Sequence, residues 1–541
     1  MKGILFIASF AASFAHGALT WSNTVDRGNW SAGSSWTGGI APVFSNGVSM
    51  STRGGKTTYI DAQDEALAVQ SASFWVNGGT FVFGLTNSTL RLNGDYSLLT
   101  NTMNTAQAGL GIYGWGGPTT ADHVVLTHGT LDFGNTCLDI GYSKNYSYNS
   151  FDAVSSDACV SNPRIRIAST SGANCLTVSN GAQVVGARLW LGHYPSWDCT
   201  VRIANAGTVF RAHEASVSGD FEIGSHSAAT NCQLIVEDGA SLIFASNPSQ
   251  AYTVKMGGVN TRMLVDNATV TNFGGYWAVN GKGARLEVRN NGRLFVDNCV
   301  YLNVGTDSGQ CGNALIVDNS LCHRLNVLND YSYGTSVGLS AGSDSNRLIL
   351  VNNATFRTDR AATNSLNCYT MIGRGGSFNE LVVSNILFET PGMHLTAGYS
   401  AGAVGNRIAA HNGTVRTRWL EVKTGNRLAV SGTNTLIEAQ SITFGDGAAL
   451  DFTVPAAGYA VPPIQSSGTL SFGGGPVTAT VDLSAFRAAG GKRTVLMTNS
   501  VAAISYAQPI NWVLPPGAKI DLSNPRCVTL AVEQGTLLAI H

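Results

Sequence analysis

At least ten times along this chain a short apolar run ends on a turn residue, and that recurrence restricts the fold more than any other feature. The copies read LTVSN (176–180), VRIAN (201–205), LIVED (234–238), MLVDN (263–267), LEVRN (286–290), LIVDN (315–319), LILVN (348–352), LVVSN (381–385) and IAAHN (408–412). A tenth, LAVSG (428–432), places Gly at the turn. Units spaced 20–33 residues apart are too short to enclose separate cores. They gain stability by stacking, each burying its apolar side against the next, which predicts a solenoid. Within a run the first and third positions, such as Leu234 and Val236, point to one side of an extended strand and into the expected core.

Each run is followed by a second strand region and a segment ending in Gly, as in LTVSNGAQVVGARLWLG (176–192), VRIANAGTVFRAHEASVSGDFEIG (201–224) and LEVRNNGRLFVDNCVYLNVG (286–305). One coil therefore holds two or three strands. Polar connections of variable length, such as HYPSWDC (193–199), SHSAATNC (225–232) and SAGSDSN (340–346), lead into the next run. Constant strands with variable connections predict an all-β fold, a parallel β-helix over 123–447 with β-rich flanking regions at 18–122 and 448–541. Asn180, Asn205, Asp238, Asn267, Asn290, Asn319, Asn352, Asn385 and Asn412 share one register. Asn and Asp tolerate the left-handed backbone and bond nearby amides, which suits a tight corner. At a coil spacing of about 4.8 Å their side-chain amides are also placed to bond from coil to coil. A polar binding stripe is the functional alternative.

A 541-residue chain ordinarily divides into several domains, but a solenoid grows by repetition. With 63 Gly, 12% charged and 44% hydrophobic residues, the composition is that of a Gly-turned β protein and argues against disorder. The net charge of -1 offers no electrostatic footprint for nucleic acid or an anionic membrane. Lys2, the apolar run ILFIASFAASFA (4–15), and the small residues Ala15 and Gly17 read as a secretory signal peptide over 1–17. The run is shorter than the roughly 18 apolar residues of a membrane span. A secreted or cell-surface protein without a membrane span is therefore expected.

Ten cysteines fit export: Cys137, Cys159, Cys175, Cys199, Cys232, Cys299, Cys311, Cys322, Cys368 and Cys527. Cys199 and Cys232 sit two residues before their runs in adjacent coils, at the ~5 Å spacing a disulfide accepts. A reduced thiol stack in a dry core is the alternative. With no C-x-x-C pair, and no Cys and His at metal spacing, zinc is not expected.

Residues 18–122 carry WSNTVDRGNWSAGSSWTGGIAP (21–42) and β-rich runs such as KTTYIDA, ASFWVNGGTFVFG and STLRLNG. The spacing of Trp21, Asn29-Trp30-Ser31, Trp36, Gly38-Gly39 and Pro42, followed by the repeats, resembles the start of secreted bacterial β-helix proteins of the autotransporter-passenger type, including those built from autotransporter-associated β-strand repeats. Residues 124–447 resemble pectin-lyase-like β-helices more generally. The resemblance implies a right-handed parallel β-helix in an extracellular setting. It is not carried to self-translocation, because 449–541, with breaks such as VPPIQ and LPPG, shows no series of ~10-residue alternating strands suited to an outer-membrane barrel.

The fold so implied hosts polysaccharide lyases and glycosidases that join Asp or Glu to Lys or Arg on neighbouring coils, although fold alone does not confer function. One register carries Glu237, Asp266, Arg289 and Asp318. It brings Glu237 and Asp266 to ~5 Å, near the separation of a retaining carboxylate pair. Ca2+ is a second use for such carboxylates, and a solvated charge ladder neutralised by Arg289 is the plain one. A second register carries Arg262 and Arg285, then Arg347, Glu380, Arg407 and Arg427. It reads as a surface ion-pair ladder or a grip on acidic glycans. His193, His226 and His411 have no Ser, Cys or Asp partner at a recognisable spacing.

For recognition, YSKNYSYNSFDAVSSDACVSN (142–162) reads as a long insertion that clusters Tyr142, Tyr146, Tyr148 and Phe151 with Lys144, and GIYGWGG (111–117) adds Trp115. Tyr146, Tyr148, Trp115 and Lys144 are therefore glycan-binding candidates, unless these aromatics cover the end of the solenoid. Three functions follow. The leading one is a non-enzymatic structural or adhesive solenoid that contacts cell-envelope or extracellular polysaccharide or a surface protein. The others are a polysaccharide lyase or glycoside hydrolase using Glu237 and Asp266, and a glycan-binding protein without turnover. No cofactor is expected unless Ca2+ bridges the carboxylates.

Overall fold

The computed structural model describes residues 19–533 apart from 23, 30, 42–47, 52–54, 64–65, 71–73, 77–78, 94–107, 113–120, 135, 142–147, 168–170, 213–220, 225, 245–252, 274, 298, 328–333 and 361–368. Alternating apolar positions cannot be buried by one coil, so each strand pairs with its counterpart one coil away. In one coil the strands Arg285–Arg289, Arg293–Asp297 and Cys299–Val304 belong to a first, second and third sheet. The next coil lays Ala314–Asp318, Leu321–Val327 and Thr335–Val337 against them. The pairing is parallel in all three sheets, with registers Arg285↔Ala314, Arg293↔Leu321 and Leu302↔Thr335. Repeated along the chain, this makes an all-β parallel β-helix. Leu234, Met263, Leu286, Leu315, Leu348, Leu381, Ile408 and Leu428 form one fully buried column inside it.

Parallel pairing continues on both sides of residues 123–447. Thr57–Gln63 pairs in parallel with Thr80–Asn93, which pairs with His123–Asp132, so the sheets run through the expected boundary at 122. They also continue past 447 through Ala449–Thr453, Thr478–Asp482 and Asn511–Val513. Trp36 of the N-terminal motif is buried as part of the common core. At the far end Cys527–Val532 pairs antiparallel with both Arg493–Asn499 and Ala518–Asp521. This covers one edge that would otherwise template another chain. The stretch expected to be an insertion is largely a regular coil. Its strands Ser150–Ala153 and Ala158–Ser161 pair on both sides, and Phe151 is a fully buried core residue in register with Leu176.

All nine turn residues after the first-sheet strand have left-handed backbone, with φ between 47° at Asn267 and Asn319 and 73° at Asn205. Their side chains do not make the expected amide ladder. Instead Asn290 Nδ2 donates to Asp266 Oδ1 at 2.8 Å, and Asn352 Nδ2 donates to Asp318 Oδ1 at 2.9 Å. The amide ladder runs inside the molecule, one residue before each first-sheet strand, through Asn313, Asn346, Asn379, Asn406 and Asn426. Oδ1 of each later member accepts both the backbone N–H and the Nδ2 of the Asn one coil earlier. For the Asn379 and Asn406 pair these bonds are 2.9 and 3.1 Å. The same pattern links Asn313 to Asn346, Asn346 to Asn379, and Asn406 to Asn426. Asn149 and Asn174 repeat it nearer the N-terminus.

The Gly that ends each third-sheet segment makes room for this ladder. Gly305, Gly338, Gly373 and Gly398 all have positive φ. A Cβ on them would collide with the side-chain amides of Asn346, Asn379, Asn406 and Asn426. A buried amide that loses its partner keeps its full desolvation cost. We therefore expect Asn379→Ala to destabilise the chain by about 2–4 kcal/mol, read as a fall in the urea midpoint. Asn412→Gly at a half-buried left-handed corner should change it by only a few tenths of a kcal/mol. Equal effects of the two substitutions would contradict the buried ladder.

Candidate functional site

Outward positions of the first sheet carry the charge columns. Glu237, Asp266, Arg289 and Asp318 stand in the expected register across four coils, but each acid has a partner of its own. Arg202 pairs with Glu237, whereas Asp266 and Asp318 accept from Asn290 and Asn352. Arg289 turns to Glu287, a nearly buried acid two residues earlier, which also receives Arg262 at 2.9 Å. Sequence spacing missed Glu287, although it breaks an outward column otherwise held there by Ile235, Leu264, Ile316 and Ile349. Among the described residues no group of three or more His, Cys, Asp and Glu is placed to hold a metal ion. Each acid of the column is thus matched by a cation or an amide, while Glu237 and Asp266 are register partners in adjacent coils.

The second column behaves in the same way. Glu380 is gripped by Arg347 at 3.2 Å and by Arg407 at 2.7 Å, and Arg427 reaches Asp451 at 3.1 Å. A groove of about 570 Å3 opens beside it where the outward positions shrink to Ala409 and Ala429, with His411, Arg427, Asp451 and Asp482 on its walls. His411 Nδ1 lies 3.0 Å from Ser431 Oγ, an ordinary coil-to-coil contact.

A different edge breaks the pattern of its column. The residue before each ladder position has left-handed backbone, and it is commonly Asp198, Asn231, Asn260, Gly283, Gly312, Ser345, Gly405 or Gly425. A Cβ costs roughly 1–2 kcal/mol in that conformation, which Asn and Asp tolerate and bulky residues adopt only as outliers. Tyr148 and Phe378 are nevertheless found in this column, at φ 68° and 57°, and are 61% and 66% exposed. Neither burial nor turn geometry accounts for an aromatic at these positions. Two coils on from Tyr148, and so about 10 Å along the axis, Trp197 is 44% exposed. Its indole lies over Gly172, where a Cβ would collide with it. Of the glycan-binding candidates, Tyr148 therefore lies on this edge. Trp115, Lys144 and Tyr146 lie outside the described residues, as does Tyr142.

The third sheet carries a separate aromatic stack, in which Tyr369, His394 and Trp419 follow one another with ring centroids 4.4 and 4.2 Å apart. Arg418 covers the Trp419 ring at 3.8 Å. These faces are spent on one another, so the stack ties coils together rather than offering a platform.

Cys199 and Cys232 occupy the buried column that Asn fills elsewhere, in coils joined by the Thr200↔Gln233 register. The structure holds both as free thiols rather than as the disulfide considered from spacing. Cys199 Sγ contacts the Trp197 carbonyl oxygen at 3.2 Å and Cys232 Sγ that of Thr230 at 3.7 Å. Burial disfavours the thiolate, the reactive form, and the Cys199 pKa is pushed up by its contact with Cys232 and by burial. Native alkylation should therefore label the exposed Cys311 and spare Cys199 and Cys232, which should label once the chain is unfolded without reductant. Failure of both to label after unfolding would show that they are bonded. No family model, curated protein or solved structure matches this chain.

Proposed function

We propose that this chain is an exported, non-catalytic solenoid that adheres to cell-envelope or extracellular polysaccharide through its turn edge. The observation that carries this reading is the exposed pair Tyr148 and Trp197. One is held at an unfavourable backbone conformation, and both stand at corner positions that neighbouring coils fill without an aromatic, Ala173 and Asp198 after Tyr148 and Gly172 and Thr230 on either side of Trp197. Aromatic faces suit the apolar C–H faces of sugar rings, and a rigid scaffold spares the ordering cost of such contacts. The neutralised carboxylates on the first sheet favour a structural role for that face over hydrolysis or elimination. The apolar run over 4–15 and the β-helix architecture support export.

The test is incubation of residues 18–541 with a panel of neutral and acidic polysaccharides, following retention and the appearance of new chain ends with Ca2+ present. Retention without products is expected. Tyr148→Gly combined with Trp197→Ala should lower it several-fold, and Glu237→Gln should leave it unchanged. Product formation that disappears in Glu237→Gln would replace this reading with a polysaccharide-active enzyme centred on Glu237 and Asp266.

A further inference from the structure

Phe378, the other strained aromatic of the turn column, has charged neighbours. Its ring lies across Gly405 of the next coil, where a Cβ would stand 2.6 Å from the ring carbon Cδ1. It forms one wall of a surface cavity of about 450 Å3 whose charged lining is Arg347, Glu380 and Arg407. Glu380 lies deepest, with its side chain 13% exposed, whereas those of Arg347 and Arg407 are 58% and 47% exposed. Nearby, Asp344 is occupied by the backbone N–H of Ser377 at 2.7 Å. Two guanidiniums thus share one carboxylate. With five N–H donors each, they retain donors for a further anion. A turn needs none of this, since Ser345 and Gly405 serve the same corner in the coils on either side.

We infer that Phe378, Arg347 and Arg407 form a binding site for an acidic sugar residue within a polysaccharide. The C–H face of the sugar stacks on Phe378 and its carboxylate or sulfate bonds to the two arginines. The cavity falls within the size range of small-ligand sites. This site deepens the reading of the turn edge as a glycan-contacting surface and rests on it, adding the chemical class of the ligand.

The test is isothermal titration of the full chain with an oligogalacturonate, a sulfated oligosaccharide of equal length and a neutral oligoglucoside. Phe378→Gly removes the ring and relieves the left-handed strain, so its Tm should equal or exceed that of the parent. Its affinity for the acidic oligomer should nevertheless fall roughly tenfold. Arg347→Gln, which keeps the Arg407 and Glu380 pair, should lose affinity for the acidic oligomer only. Preference for the uronate or the sulfated chain supports the site and identifies the anion. Equal binding of the neutral oligomer, or acidic binding unchanged in Phe378→Gly, overturns it. If polysaccharide retention through Tyr148 and Trp197 persists beside that unchanged binding, this site alone is lost and the proposed function stands.

Discussion

Every coil of this protein must meet its neighbours at the spacing of parallel strands, about 4.8 Å, and the rest of the structure depends on that constraint. At such a distance a polar residue inside the stack has to find its partner in the same column of the next coil. Asn meets this requirement because its amide both donates and accepts. The buried series from Asn313 to Asn426 uses Oδ1 to take two donors from the coil before it. The bonds persist although the sequence separation between partners ranges from 33 residues to 20. Connections can therefore vary in length without disturbing register. Gly at the end of the third-sheet segment is the counterpart, since a Cβ there would occupy the space of the amide.

The same stacking rule governs the charges and rings. Charged groups are held close at this spacing, and carboxylates are met by cations or amides of neighbouring coils, as Glu380 is by Arg347 and Arg407. Aromatics in the core stack on their own kind, as Phe356 does on Phe388 and Phe444 on Phe472. Against that regularity the exceptions carry information. Tyr148 and Phe378 stand at positions where the backbone favours Gly or Asn, and they present their rings outward. Strain held at a surface position points to contact with something outside the chain.

Much of this was legible in the residues. The apolar runs revealed the stacking, and the Asn and Asp that close them marked the left-handed corners. The register of Glu237, Asp266, Arg289 and Asp318 followed from counting. What those side chains touch did not, because Arg202 and Glu287 act across coils from an outward position that the coils beside them fill with Ile235, Leu264 and Ile316. The buried ladder was visible as Asn two residues before the run in Asn313, Asn346, Asn379, Asn406 and Asn426, the register also held by Cys199 and Cys232. The more frequent turn Asn drew the expectation of amide bonding to the wrong column. Phe151 was misplaced for a related reason: a run of Tyr, Asn and Ser before it hid the alternation that makes SFDA an ordinary strand.

The most direct test of this account is native-state hydrogen exchange resolved to single residues. The backbone N–H groups of Asn346, Asn379 and Asn406 donate to buried side chains of the next coil. They should exchange only when whole coils open, far more slowly than amides of the polar connections. Exchange at those three amides as fast as at Gly402, in an exposed connection, would show that the buried column does not hold the coils in register.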